Sequence, residues 1–139
     1  MSHHCSTLIL HCIDFRLGTA IKKYMEENNL LGDCDIVSAA GAAKDLASPA
    51  SESDRAFILR QIDISKRLHH TSKTILMNHT DCGAYGGRSV FASKEAEDAK
   101  HEEEMASAEN LIKEKYPDMQ VEKVLADISE TGEITFRKI

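Results

Sequence analysis

The chain contains no tryptophan and few other aromatic residues, three Tyr and four Phe among 139 residues. Single-stranded nucleic acids bind to platforms of stacked aromatic side chains, so this scarcity argues against such a surface. Basic residues are also in the minority, since 17 Lys and Arg stand against 23 Asp and Glu and give a formal net charge of −6. Because phosphate backbones bind to positively charged surfaces, we expect no nucleic-acid partner.

Long apolar runs are absent as well. A helix that crosses a bilayer needs about 18 or more consecutive apolar residues, and no such stretch occurs. The first residues lack the basic and apolar segments of a secretory signal peptide. We therefore expect a cytoplasmic protein without a membrane segment. In that compartment Cys5, Cys12, Cys34 and Cys82 are expected to be thiols or metal ligands rather than disulfides.

The composition is otherwise that of a globular protein, with 42% hydrophobic and 29% charged residues. The sequence shows no internal repeat and no low-complexity linker, and its length suffices for one hydrophobic core. These features predict a single domain over residues 1–139.

Hydrophobic periodicity predicts five strands and three helices. The strands are Ser6–His11, Cys34–Ser38, Lys73–Asn78, Met119–Ile128 and Glu133–Arg137. The helices run over Arg16–Asn29, from the Ala47–Glu52 turn to about His70, and over Ala92–Glu114. The order βαβαβαββ predicts an α/β fold: a parallel sheet with right-handed crossovers and flanking helices, closed by one antiparallel C-terminal edge strand.

Two predicted strands end in residues that bind metals. Cys12 follows the first strand, whereas His79 and Cys82 follow the third. Sites in parallel sheets form outside the carboxyl ends of the strands, so we expect these ends to meet. Two thiolates and one imidazole are typical zinc ligands, and three protein ligands leave a fourth position open. The sequence therefore predicts a zinc site.

Asp14 and Arg16 lie on the loop that leaves the first strand, beside the expected zinc site. Asp14 has two possible roles there. It could accept a hydrogen bond from a water on the metal, held ionised by a bidentate pair with Arg16. Alternatively, Asp14 could bind zinc itself as the fourth ligand and close the site. The sequence leaves both open.

The remaining candidate residues have simpler interpretations. Cys5 and Cys34 are interpreted as small core residues, and His69 as a helix-end histidine rather than a ligand. His3, His4 and His70 are interpreted in the same way. The charged segment from Lys94 to Glu104 is interpreted as the solvated face of a helix.

The two strand-end motifs together resemble a known family. Residues 12–16 read Cys-Ile-Asp-Phe-Arg and residues 79–83 read His-Thr-Asp-Cys-Gly. They resemble the Cys-x-Asp-x-Arg and His-x-x-Cys-Gly zinc motifs of the β-class carbonic anhydrases. Residues 32–41 and 124–136 also resemble that family's second strand and closing hairpin, although Ser38-Ala39 stands where Arg-Asn is usual.

The resemblance implies a function and its residues. Cys12, His79 and Cys82 would bind Zn²⁺, and Asp14 with Arg16 would form the catalytic dyad. The implied reaction is the reversible hydration of CO₂ to bicarbonate by a zinc-bound hydroxide. A homodimer or higher homo-oligomer, with the active site near the subunit interface, is implied too.

Two alternatives keep the same zinc site. Relatives with this ligand set hydrolyse carbon disulfide or carbonyl sulfide. A non-catalytic zinc module, with Asp14 closing the site, is the other possibility.

Overall fold

Five strands form a sheet within residues 3–139, the part of the chain that the computed structural model describes. They are β1 (Thr7–His11), β2 (Cys34–Ser38), β3 (Lys73–His79), β4 (Gln120–Ile128) and β5 (Ile134–Lys138). Their spatial order is β2-β1-β3-β4-β5, with β1 to β4 parallel and β5 antiparallel to β4. The predicted α/β class, with its antiparallel C-terminal edge strand, is confirmed.

Helices cover both faces of this sheet. They are α1 (Gly18–Glu27), α2 (Lys44–Ala47), α3 (Glu52–His69) and α4 (Lys94–Lys115). α1 packs on one face, and the other three pack on the opposite face. The predicted first helix begins later than expected, because a 3₁₀ turn at Phe15–Leu17 precedes α1. Four residues are too few for a recognisable helical period, which is why the sequence did not predict α2.

The two central strands, β1 and β3, are buried on both sides. Along β1, Leu8 and Leu10 face α2, α3 and α4, whereas Ile9 between them faces α1. Successive side chains of a strand point to opposite faces, so each central strand supplies both layers of the core. This double burial fixes the position of the strand ends that carry the predicted site.

Helix α4 buries several of the charged and polar residues that were interpreted as solvated. Glu97, His101 and Glu104 are buried, together with the apolar residues Met105 and Ala108. These positions recur at helical intervals and therefore lie on one buried face of α4. The N-terminal half of that face is polar, and its C-terminal half is apolar. The interpretation was wrong for this face because a charge count does not reveal polar partners supplied by other segments. Among residues 3–139, no helix is both long and apolar enough to cross a membrane.

Candidate metal centre

The ends of β1 and β3 meet, as the strand order requires. His11 lies opposite Met77 in the parallel pair. Cys12 therefore follows β1 beside the last residues of β3, which end at His79. Cys82 follows three residues later, and all three side chains are buried. Their ligand atoms lie within 4.8 Å of one another, which is the proximity that shared binding of one metal ion requires.

The two thiols form a close pair. Sγ of Cys12 lies 4.0 Å from Sγ of Cys82. The Cys82 thiol, with help from the His79 imidazole, lowers the pKa of Cys12 despite its burial. In turn, the Cys12 side chain and then burial raise the pKa of Cys82. One thiolate is therefore favoured before any cation arrives, and a metal would favour the second.

The ring of His79 is oriented by its own backbone neighbour. Nδ1 lies 2.7 Å from the carbonyl oxygen of Thr80, to which it donates. This bond leaves Nε2 as the unprotonated nitrogen of the neutral ring. Within residues 3–139, the buried Nε2 has no hydrogen-bond partner. An orphaned lone pair beside two thiols is the arrangement that a bound cation would complete.

Asp81 turns the chain between His79 and Cys82. Its φ of +55° lies in the left-handed region, which non-glycine residues rarely adopt. The turn is held by the side chain, whose Oδ1 accepts the backbone N–H of Arg88 at 2.9 Å. Arg16 adds a bond from Nη1 to Oδ2 of Asp81 at 3.0 Å. The strained residue thus brings the two candidate ligands of this segment, His79 and Cys82, close together.

Asp14 and Arg16 form the bidentate pair that the sequence suggested as one alternative. Nε and Nη2 of Arg16 donate to the two carboxylate oxygens at 3.0 and 2.8 Å. The backbone N–H of Arg16 donates to the same carboxylate at 2.9 Å. These bonds lower the pKa of Asp14 to about 2, because they favour its ionised form. Oδ2 of Asp14 lies 3.8 Å from Nε2 of His79, so the carboxylate stands beside the three candidate ligands.

The small-residue loop of residues 39–43 approaches this site closely. Gly41 has a φ of +80°, and its backbone N–H donates to Sγ of Cys12 at 3.4 Å. A Cβ atom at Gly41 would lie 2.9 Å from Cβ of Lys44 and 3.0 Å from Cβ of Ala84. Glycine is therefore required here both by the backbone conformation and by the space available.

The donor set fits zinc. Two thiols and one imidazole nitrogen, buried and close together, are the borderline-soft ligands that this ion prefers. The orphaned Nε2 of His79 provides the independent structural sign of a missing partner.

A model of the family described as "Putative carbonic anhydrase" matches residues 1–135. The chain belongs to this family. An uncharacterised protein of Rickettsia bellii is 34% identical over 122 residues, which cover 86% of this chain and 74% of that protein. An uncharacterised protein of Rickettsia conorii is 33% identical, and the match covers 86% of this chain and 66% of that protein.

The fold of this carbonic anhydrase-like chain has a solved counterpart. The crystal structure of the β-carbonic anhydrase CafA of Aspergillus fumigatus matches with a TM-score of 0.52 and 17% sequence identity. The match covers 98% of this chain and 76% of the fungal chain. At this identity the likeness concerns the fold, and it agrees with the β-carbonic anhydrase resemblance of the two sequence motifs.

Sequence reasoning missed the buried polar residues that support the centre of this family member. Oε2 of Glu97 accepts the backbone N–H of Asp81 at 2.7 Å. Asn78 accepts the backbone N–H of Ala43 at 3.0 Å and contacts Nδ1 of His101 at 3.1 Å. Burial lowers the pKa of His101 to about 4, so its ring is neutral. These residues occur at the helical and strand intervals expected of core positions. Because they are polar, the sequence did not indicate that they are buried.

A cavity of about 420 Å³ opens beside Cys12 and Asp14. Most of its other walls are apolar, and its lining includes Ile13, Phe15, Ile21, Met25, Leu31 and Ile36. Several of these side chains are strongly exposed, above all Phe15 with 92% of its surface accessible. The candidate centre therefore borders an open apolar surface.

Proposed function

We propose that this chain is a zinc enzyme that catalyses the reversible hydration of CO₂ to bicarbonate. The observation that carries the proposal is the buried Cys12, His79 and Cys82 group next to the paired Asp14 and Arg16. Membership of the carbonic anhydrase-like family and the fold of the fungal relative support the same reaction.

Cys12, His79 and Cys82 would hold the zinc ion, with Nδ1 of His79 already committed to the Thr80 carbonyl and Nε2 available. When bound, zinc supplies a Lewis acid that lowers the pKa of a water molecule toward neutrality. Two thiolates neutralise the charge of the ion and weaken this effect. The protein must therefore contribute further polarisation, and Asp14 is the nearest ionised group.

Asp14 is suited to orient a water molecule at the centre. Its carboxylate is ionised at neutral pH, and Arg16, which lowers its pKa to about 2, holds that ionised form in place. Arg16 is in turn anchored to Asp81, through Oδ2 at 3.0 Å and through the carbonyl oxygen at 2.9 Å. An acceptor held in this way can take a hydrogen bond from water and fix which lone pair faces the substrate.

The apolar cavity favours an uncharged substrate. Its walls beside Asp14 are mostly apolar and include Ile13, Phe15 and Ile21, with Lys22 as a charged neighbour. A small linear molecule such as CO₂ gains from such surroundings, whereas a bicarbonate ion does not, which favours release of the product. Carbon disulfide and carbonyl sulfide share these properties, so they are the competing substrates.

Stopped-flow CO₂ hydration on protein of measured zinc content tests the proposal, with Cys82→Ser as the ligand variant. The rate should exceed the buffer rate in the zinc-loaded protein and fall to it in the variant. Cys34→Ser is the control, because this thiol lies outside the ligand group. Sulfide release from carbon disulfide without CO₂ hydration would show that carbon disulfide, rather than CO₂, is the substrate. If zinc-loaded protein acts on neither, the centre is a non-catalytic module.

The proposal includes a homodimer or higher homo-oligomer. Phe15, Ile13, Leu31 and Ile36 are all more than half exposed and border one cavity, on the side of the edge strand β2. A second copy of this chain would cover that apolar surface and enclose the candidate site. The proposed compartment is the cytoplasm, in keeping with four free cysteines.

A further inference from the structure

A second group of side chains that could hold a metal ion lies at the amino ends of the parallel strands. Cys5 precedes β1, Asp35 lies near the start of β2, and His69 ends α3 just before β3. The amino ends of these parallel strands converge there, far from the carboxyl ends that carry Cys12. The ligand atoms of the three side chains lie within 4.8 Å of one another.

The Asp35 carboxylate and the His69 ring are already in hydrogen-bond contact. Nδ1 of His69 lies 2.7 and 2.9 Å from the two carboxylate oxygens. Ligands around tetrahedral zinc are bound at about 2.0–2.3 Å and so stand roughly 3.3–3.8 Å apart. A cation between them would replace this hydrogen bond and require the two side chains to separate by less than about 1 Å. Both are partly exposed, which leaves room for that shift.

The carboxylate is held from behind, as metal-binding carboxylates commonly are. Oγ of Ser65 donates to Oδ2 of Asp35 at 2.6 Å, and Ser65 itself is buried. Thr71 lies 3.0 Å from the same hydroxyl. This support fixes the carboxylate independently of any ion.

The electrostatics of the cluster favour a cation. Among the described residues, no Lys or Arg lines the adjoining cavity of about 350 Å³. A divalent ion would supply the positive charge that this pocket lacks.

The same cavity brings further donors within reach. His3 and His4 line it together with Cys5, Cys34 and Asp35. The chain is tied down there, since the backbone N–H of Cys5 donates to the carbonyl of His69 at 3.0 Å. Either histidine would supply a fourth ligand by turning toward the cluster, His4 after leaving its contact with the ring of His70.

We propose that Cys5, Asp35 and His69 form a second zinc-type site, with His3 or His4 as the fourth ligand. The site is structural: it fastens the N-terminal segment to the start of β2 and to the end of α3. A set of one thiolate, one carboxylate and two imidazoles suits zinc and, in the laboratory, cobalt. This site is independent of the proposed CO₂ hydration.

Metal analysis after equilibrium dialysis of the full chain against zinc tests the proposal. The unaltered protein should hold a second equivalent of zinc that Cys5→Ser and His69→Ala both lose. Cys34→Ser should keep it, because this thiol lines the same cavity without belonging to the cluster. Absence of a second equivalent, or its retention in both cluster variants, would overturn the proposal; retention would indicate adventitious binding by His3 and His4.

Cobalt absorption provides a measurement that does not depend on the folding of those variants. In the double variant Cys12→Ser, Cys82→Ser, a thiolate-to-cobalt band should persist, because Cys5 is unchanged there. Adding Cys34→Ser should leave the band intact. A double variant that binds cobalt without this band, or binds none while its circular dichroism is native, refutes the proposed site. Loss of CO₂ hydration in that protein bears only on the first centre.

Discussion

Nε2 of His79 lies 3.8 Å from Oδ2 of Asp14, whose carboxylate is engaged by Arg16 through both oxygens. In this arrangement Asp14 stands beside the ligand group and is not free to join it without breaking the Arg16 pair. The geometry thus favours the open form of the site over the form that Asp14 closes.

Replacement of the carboxylate should separate catalysis from metal binding. Asp14→Asn keeps the shape but removes the charge that orients water, so we expect CO₂ hydration to fall about 10–100-fold with zinc content unchanged. Stopped-flow rates and metal analysis on the same preparations check this. Asp118→Asn, at an exposed position, should alter neither quantity. Loss of zinc in Asp14→Asn would instead make Asp14 a ligand.

The low pKa of Asp14 predicts a pH-dependent contribution to stability in metal-free protein. Its folded pKa of about 2 lies below the ordinary Asp value, so the contribution is present above about pH 4 and disappears as pH falls through about 2. The shift corresponds to about 2 kcal/mol in the free energy of unfolding. Urea unfolding of the unaltered chain and of Asp14→Asn should therefore differ at pH 5 and converge toward pH 2. A constant difference would contradict the Arg16 pairing.

Gly41 should be the glycine least tolerant of substitution. Gly41→Ala places a Cβ against Lys44 and Ala84 in a left-handed backbone, and it disturbs the N–H bond to Cys12. Gly32→Ala has a similar φ, +75°, but open space, so it isolates the conformational cost of about 1–2 kcal/mol. Thermal unfolding should show a larger loss for Gly41→Ala, and zinc affinity should fall only there. Equal losses would mean that the contacts contribute nothing.

The buried carboxylate of Glu97 should act through Arg16. Glu97→Gln weakens the bond to the Asp81 N–H, which holds the turn that anchors Arg16. We expect a several-fold fall in CO₂ hydration and a loss of about 1–3 kcal/mol in stability. Glu95→Gln, on the exposed side of α4, is the matched control. Rates and urea unfolding that match the control would remove Glu97 from the support of the site.

The exposed apolar surface predicts self-association. Phe15→Ser should shift the assembly toward monomer in sedimentation velocity, because Phe15 is the most exposed of the large apolar side chains at the cavity. Phe57→Ser, which also removes an exposed phenylalanine but lies on α3, should leave the assembly unchanged. A monomeric unaltered chain would refute the proposed oligomer.

Much of this protein follows from local sequence. Short apolar runs such as residues 75–77 predicted the parallel strands, since a strand buried on both faces is rich in consecutive apolar residues. The placement of Cys12, His79 and Cys82 directly after two such strands predicted their meeting, because parallel strands end at a common edge. Local order along the chain was sufficient for these two inferences.

The tertiary structure alone decided how that site is supported. Glu97, His101 and Asn78 are buried, and distant segments supply the partners of Oε2 of Glu97 and of Nδ1 of His101; a charge pattern does not contain that information. The same holds for Cys5, Asp35 and His69, which are separated by at least 30 residues and meet only through the strand order β2-β1-β3. Sequence determines which elements form, whereas packing determines which distant side chains face one another.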